Sequence, residues 1–217
     1  MGDAGKLRPL ANGHGGIVRF FMEFTDMLRK RRMTRSFEDR RVDPELVERI
    51  LAAGLRGPTA GHTQGVDLLV LEGPAQTGRY WEVTLPAAAR AGFPWPGLLA
   101  APLLVVVLSS EAAYRRRYAE PDKAATAFDG AFDVPWWHVD AAFAALLLQL
   151  AAADAGFGTL FFATHQVPAL RRAFGVPDEW APVGTVAIGH PAPDRPSSSV
   201  VSRRRRPVSE AIHRGGW

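Results

Sequence analysis

Residues 140–163 read Asp140-Ala141-Ala142-Phe143-Ala144-Ala145-Leu146-Leu147-Leu148-Gln149-Leu150-Ala151-Ala152-Ala153-Asp154-Ala155-Gly156-Phe157-Gly158-Thr159-Leu160-Phe161-Phe162-Ala163, and the fold turns on this stretch. From Ala141 to Ala153 only Gln149 interrupts the apolar run, and acids stand at its two ends, Asp140 and Asp154. A helix that is apolar nearly all round has no face to give to water, so it is expected to be buried on all sides, in a core or a subunit interface. Gly156-Phe157-Gly158 ends it, since glycine tolerates the left-handed conformation that closes a helix. Thr159 to Ala163 then reads as a strand, rich in β-branched and aromatic residues.

Working outward, Leu103 to Leu108 is the strongest strand in the chain, within a run from Pro102 to Ser109. Val66 to Leu71 and Val183 to Ile188 read as further buried strands. Asp43 is a good N-cap with Pro44 at the first helical position, and Leu46, Val47, Ile50, Leu51 and Leu55 supply the buried stripe of the helix that follows. Further helices are expected around Pro74 to Trp81 and Pro168 to Phe174. Near the start, Phe24, Met27 and Leu28 share a helical face, and Arg29 to Arg32 bring cations to that helix's C-terminus. Residues 111–137 are charged and then aromatic with poor periodicity, which reads as an excursion covering something. Helices and strands alternate without a clean repeating βαβ pattern, so the class is α+β. Residues 1–21 hold five glycines and no amphipathic repeat, and are expected to be a flexible leader to a single domain at 22–217.

Composition narrows the function classes. With 47% hydrophobic and 22% charged residues over 217 positions, the chain is long and apolar enough for a proper core. It has no cysteine, which excludes disulfides, thiolate metal sites and cysteine nucleophiles. The run from Ala141 to Ala153 is too short to span a bilayer and no signal sequence opens the chain, so a cytoplasmic protein is expected, without a membrane partner. The histidines lack metal-ligand spacing, and no nucleophile elbow or dinucleotide glycine motif is present. The net charge of +4 gathers in Arg29 to Arg32, Arg115 to Arg117 and Arg203 to Arg206. Such clusters suit an anionic cofactor or a nucleic acid equally, and charge alone does not choose.

Four segments do choose. The first is Arg31-Arg32-Met33-Thr34-Arg35-Ser36-Phe37, and the second is Gly57-Pro58-Thr59-Ala60-Gly61-His62-Thr63-Gln64. The third is Gly156-Phe157-Gly158, and the fourth is Arg203 to Pro207 with Val208, Glu210 and His213 following. In this order they resemble the FMN-dependent nitroreductase family. Its helix-ending pattern is similar to Arg-Arg-Ser-x-Arg-x-Phe, with Met33 here in the serine position. Its second pattern is similar to Ala-Pro-Ser-x-x-Asn-x-Gln-Pro-Trp, with Thr59 for serine, His62 for asparagine and Gly65-Val66 for Pro-Trp. Taken alone, each segment has a plainer reading: a helix end, a helix-terminating loop, a glycine C-cap and a basic tail.

The resemblance implies a three-layer sandwich with a central mixed sheet flanked by helices, in an intertwined homodimer. The long apolar helix would lie in the dimer interface. FMN would be held by Arg31, Arg32, Met33, Arg35, Pro58, Thr59, Ala60, His62, Gln64, Gly156, Phe157, Gly158, Arg203 and Arg205. Arginine's planar fork matches phosphate oxygens. NAD(P)H would pass hydride to flavin N5, and a small organic electron acceptor (a nitroaromatic, a quinone or similar) would take it in a ping-pong cycle. No catalytic side chain is required of the protein. Phe128, Phe132, Trp136 and Trp137 are expected in a substrate lid, with ordinary core as the alternative. A specialised flavoenzyme of the same fold, for dehalogenation or flavin breakdown, and a basic nucleic-acid-binding protein are the rival readings.

Overall fold

The computed structural model describes residues 8–9, 20–21, 24–124, 132–195, 197 and 201–217. Along the chain run β1 (Arg8–Pro9), β2 (Phe20–Phe21), α1 (Phe24–Lys30), α2 (Pro44–Gly54), β3 (Val66–Glu72), α3 (Gly73–Thr84), α4 (Ala87–Arg90) and β4 (Leu103–Ser109). There follow α5 (Glu111–Tyr118), α6 (Pro121–Ala124), α7 (Trp136–Asp154), β5 (Gly158–Phe162), α8 (Val167–Phe174) and β6 (Ala181–Gly189). In the stretch 1–21, β1 pairs antiparallel with β2, Arg8 opposite Phe21. The other residues of that stretch lie outside those described.

The sheet has four strands in the order β3-β4-β6-β5. All seven residues of β4 are buried, because helices cover the sheet on both faces. Val105, Val107, Val186 and Ile188 pack on one side with Val47 and Ile50 of α2 and Ala144 and Leu148 of α7. Leu104, Val106 and Ala187 pack on the other with Tyr80 and Trp81 of α3 and Leu170 of α8. The result is the expected α+β, three-layer sandwich. Asp43 caps α2 as its sequence requires, accepting the Glu45 N–H at 2.8 Å.

Four details depart from the sequence reading. The sheet is antiparallel throughout rather than mixed. Its parallel contact is an isolated bridge between Met33 and Thr159, which cannot lengthen because by Phe37 the segment pairs antiparallel with Pro191. The long helix begins at Trp136, not Asp140, so Trp136 and Trp137 form its first turn. Residues 111–118 are helical, with Ser110 Oγ accepting the Ala113 N–H at 3.2 Å. Only Tyr114 of that helix is buried, so it shows no apolar stripe to the eye. Finally, Met27 of α1 is buried but Phe24 and Leu28 are exposed.

At 19 residues, α7 is long and apolar enough by length and composition to cross a membrane, more than the run from Ala141 to Ala153 suggested. It instead packs Ala141, Ala144, Ala145, Leu148 and Ala152 into the core. Its opposite stripe, with Phe143 41% and Leu146 46% exposed, has no cover among the described residues. Expected to be buried on all sides, the helix is buried on one face by its own chain.

Candidate active site

The edge strand β5 sets the first half of the site. Gly156, at φ 85°, turns the chain out of α7, and Phe157 donates back to Ala152 O at 2.9 Å. Thr34 N–H then donates to Thr159 O at 2.8 Å, drawing the Arg31 to Phe37 segment along β5. This approach requires glycine at 158, where a Cβ would stand 2.7 Å from Thr34 Oγ1. Between the two segments opens a cleft of about 560 Å³, with Arg31, Arg32, Thr34, Gly156, Phe157 and Gly158 in its wall. No carboxylate lines the cleft, and neither Arg31 nor Arg32 has an acidic partner among the described residues. Guanidiniums without an acidic partner among the described residues suit a phosphate.

The second half lies elsewhere. Gly57 to Gln64 leaves α2 and makes one 3₁₀ turn at Ala60–His62. Gly61, His62 and Gln64 have φ of 63°, 55° and 55°, and for the two larger residues that conformation costs of order 1–3 kcal/mol each. Surrounding bonds hold it: Ala60 N–H donates to Asp140 Oδ2 at 2.7 Å, and Gln64 N–H to Thr59 Oγ1 at 3.2 Å. Arg117 Nε donates to Gly61 O at 2.9 Å, and the His62 and Gln64 side chains bond each other at 2.8 Å. Asp140 is buried and also accepts from Tyr114 Oη at 2.7 Å. Burial first, and then the Asp140 carboxylate, pushes the Tyr114 phenol well above the ordinary tyrosine range, so it stays a donor.

Asp140, one turn into α7, and Gly156, just past its end, stand about 24 Å apart at 1.5 Å per residue. The chain therefore brings Arg31, Arg32 and Met33 to Gly156, Phe157 and Gly158, but leaves Pro58, Thr59, Ala60, His62 and Gln64 at the far end of the helix. Arg35 turns away from the cleft: its guanidinium donates to Met33 O at 3.2 Å and lies 5.2 Å from the centre of the Trp95 ring. Arg203 and Arg205 are exposed, as is every residue from 201 to 217, and neither lines the cleft. Phe132, Trp136 and Trp137 are half-buried. Phe132 packs on Tyr118 and Trp137 at 5.4 and 6.1 Å between ring centres, beside the 57–64 turn. Phe128 lies outside the described residues.

Sequence reasoning missed Asp140 and Tyr114 as the support of that turn, although a lone acid opening an apolar helix was a visible signal. It also missed Trp95, over whose ring the Arg35 guanidinium lies.

The Nitroreductase family profile matches residues 28–190. A curated relative, an NADPH-dependent oxidoreductase of Staphylococcus epidermidis, is 24% identical over 87% of this chain and 72% of its own. Among solved structures, a nitroreductase family protein from Clostridium difficile 630 superposes with a TM-score of 0.68 at 20% identity, covering 90% of this chain and all (100%) of that one. An FMN-dependent nitroreductase from C. difficile R20291 gives a TM-score of 0.64 at 18% identity over 89% of this chain and 100% of its own. This chain belongs to the Nitroreductase family, and with it is an enzyme of the oxidoreductase class.

Proposed function

We propose that the protein is a homodimeric FMN-dependent oxidoreductase that carries hydride from NAD(P)H to a small organic acceptor in a ping-pong cycle. The carboxylate-free cleft of Arg31 and Arg32 against Gly156 to Gly158 carries this reading. FMN, when bound, would supply the chemistry by accepting hydride at N5 and giving it up to the acceptor. The protein's part is to hold the phosphate with Arg31 and Arg32, to present backbone at the glycines, and to exclude water. The separation along α7 supports a site shared by two chains, in which one protomer gives the cleft and its partner the turn at 57–64. On this reading the exposed segment 201–217 brings Arg203 and Arg205 to the phosphate, and Trp136, Trp137 and Phe132 border the acceptor. The NAD(P)H donor is supported by the naming of the S. epidermidis relative.

The nucleic-acid reading loses its continuous basic stripe. Arg115 pairs with Glu111 at 2.7 Å, Arg116 with Glu179 at 3.0 Å, and Arg117 with Asp122 at 2.7 Å, so the central cluster is neutralised by the chain itself.

Flavin titration by fluorescence quenching tests the clamp. Arg31→Ala and Arg205→Ala are each expected to weaken FMN by roughly 10- to 100-fold, the loss of one hydrogen bond to a charged group. Arg204→Ala should change little. Riboflavin, without the phosphate, should bind the wild type weakly and lose little more in any variant. Equal losses for both ligands would remove the phosphate assignment.

A further inference from the structure

The flavin reading uses the first and last arginine clusters and leaves Arg115-Arg116-Arg117 without a part. Arg115 and Arg116 make exposed pairs with Glu111 and Glu179, of the kind that contributes little. Arg117 differs. Its side chain is 21% exposed and four bonds fix it. Nη1 and Nη2 donate to the two Asp122 carboxylate oxygens at 2.7 Å each, and Nη1 also donates to Glu120 Oε2 at 2.9 Å. A carboxylate gripping both prongs orients the guanidinium plane, so the remaining Nε–H is aimed. It points at Gly61 O, 2.9 Å away in the 57–64 turn. The first turn of α5 meets the same segment, where Ser110 N–H donates to Gly65 O at 3.1 Å. Glycine is required at both contacts: a Cβ on Gly61 would stand 2.9 Å from the Tyr118 ring, and one on Gly65 2.5 Å from the Tyr114 ring.

The Gly61–His62 peptide is thus held from both sides. Arg117 binds its carbonyl, and His62 N–H donates to Thr59 O at 2.9 Å. A peptide unit is planar, so binding both of its polar groups fixes its orientation. Without that hold, rotation by about 180° would carry His62 from φ 55° to about −125°, the ordinary β region. Gly61 would pass from ψ 13° to about −167°, which glycine tolerates. The rotation would relieve the left-handed conformation at His62 and break the bond to Thr59 that closes the 3₁₀ turn. We propose that Arg117, oriented by Asp122, is a positioning residue that holds this peptide in its strained orientation and so shapes the 57–64 turn for the flavin. The role toward flavin rests on the function proposed above; the latch itself stands on the chain's own bonds.

Two measurements test it. Hydrogen exchange at the residue-62 amide, read by NMR on the purified protein whatever its flavin content, reports the latch. Fluorescence titration with FMN and with riboflavin reports the flavin site. Arg117→Met should raise the exchange rate about 10-fold, and weaken FMN and riboflavin by one common factor of about 5 to 10. Asp122→Asn should act in the same direction by about 2- to 3-fold. Arg116→Met, which loses only the Glu179 pair, should change neither. The distinguishing arm uses His62→Gly, where glycine has no strain to relieve. In that background Arg117→Met should cost flavin affinity less than about 2-fold, whereas a scaffold role unrelated to this peptide would give the full loss again. Unchanged exchange in Arg117→Met would overturn the latch. Raised exchange with unchanged flavin affinity, or the full loss retained in the His62→Gly background, would overturn the positioning role. Protein that takes up no flavin while Arg117→Met still raises the exchange removes the flavin reading and keeps the latch.

Discussion

Replacing Phe143 and Leu146 together by aspartate is expected to give a folded monomer that no longer retains FMN. Phe143, Leu146, Leu147 and Leu150 recur at helical spacing on the stripe of α7 that the described residues leave uncovered or half-covered, and Leu55, the C-cap of the adjoining α2, is 56% exposed. Covering each half-exposed side chain is worth about 1 kcal/mol. Two-fold symmetry counts each side chain twice, giving about 4 kcal/mol, or roughly a thousandfold in the dimer dissociation constant. Carboxylates placed in that interface add a desolvation penalty. The buried stripe of α7 is untouched, so far-ultraviolet circular dichroism should stay near the wild type. Sedimentation velocity at micromolar concentration reads the outcome directly. A variant that remains dimeric would place the interface elsewhere and would end the two-chain site.

The second large effect is expected at Asp140. Asp140→Ala removes the acceptor of two buried or half-buried donors, Ala60 N–H and Tyr114 Oη, each bound at 2.7 Å. The expected loss is about 3–5 kcal/mol, or roughly 6–20 °C in melting temperature for a chain of this size. Asp140→Asn keeps one acceptor oxygen and should lose about half as much. The turn carrying Thr59, His62 and Gln64 holds two non-glycine residues at positive φ, so without Asp140 it is expected to relax. FMN and riboflavin should then weaken together, unlike the Arg31 variant. The pH dependence carries a sign. Tyr114 is pushed up from its ordinary value of 10.0, so it keeps its proton when folded and loses it when unfolded. Its contribution is whole below about pH 10 and declines as the pH rises further, by up to about 1.4 kcal/mol per unit. Burial raises Tyr80 too, with the same sign. Tyr114→Phe should flatten part of that alkaline limb; an unchanged limb would mean that Tyr114 is not held by Asp140 as described.

Much of this fold was legible because single residues dictate it. Asp43-Pro44 could only open a helix, and Leu103 to Leu108 could only be a covered strand. Glycine breaks at 156 and 158 likewise placed β5 within a residue of its position. What escaped depends on contacts distant in sequence. Nothing in Arg115-Arg116-Arg117 announces a helix, because its order comes from Ser110, Tyr114 and carboxylates at 111, 120, 122 and 179. Trp136 and Trp137 show no clear periodicity in sequence because the helix they begin has an apolar face toward the chain and another away from it. The site divides in the same way. Thr34 lies against Gly158, with Arg31 in the wall of the same cleft, whereas the distance from Asp140 to Gly156 follows only from one unbroken helix. Trp95 and Arg195 are 100 positions apart and share no motif, so only the fold stacks them.

The most direct test of the account is the visible spectrum of the purified protein, with released flavin identified and counted per chain. The purified protein is expected to be a yellow dimer carrying one FMN per chain, as the monophosphate. Colourless protein that takes up no added FMN, or protein that retains FAD instead, would contradict it.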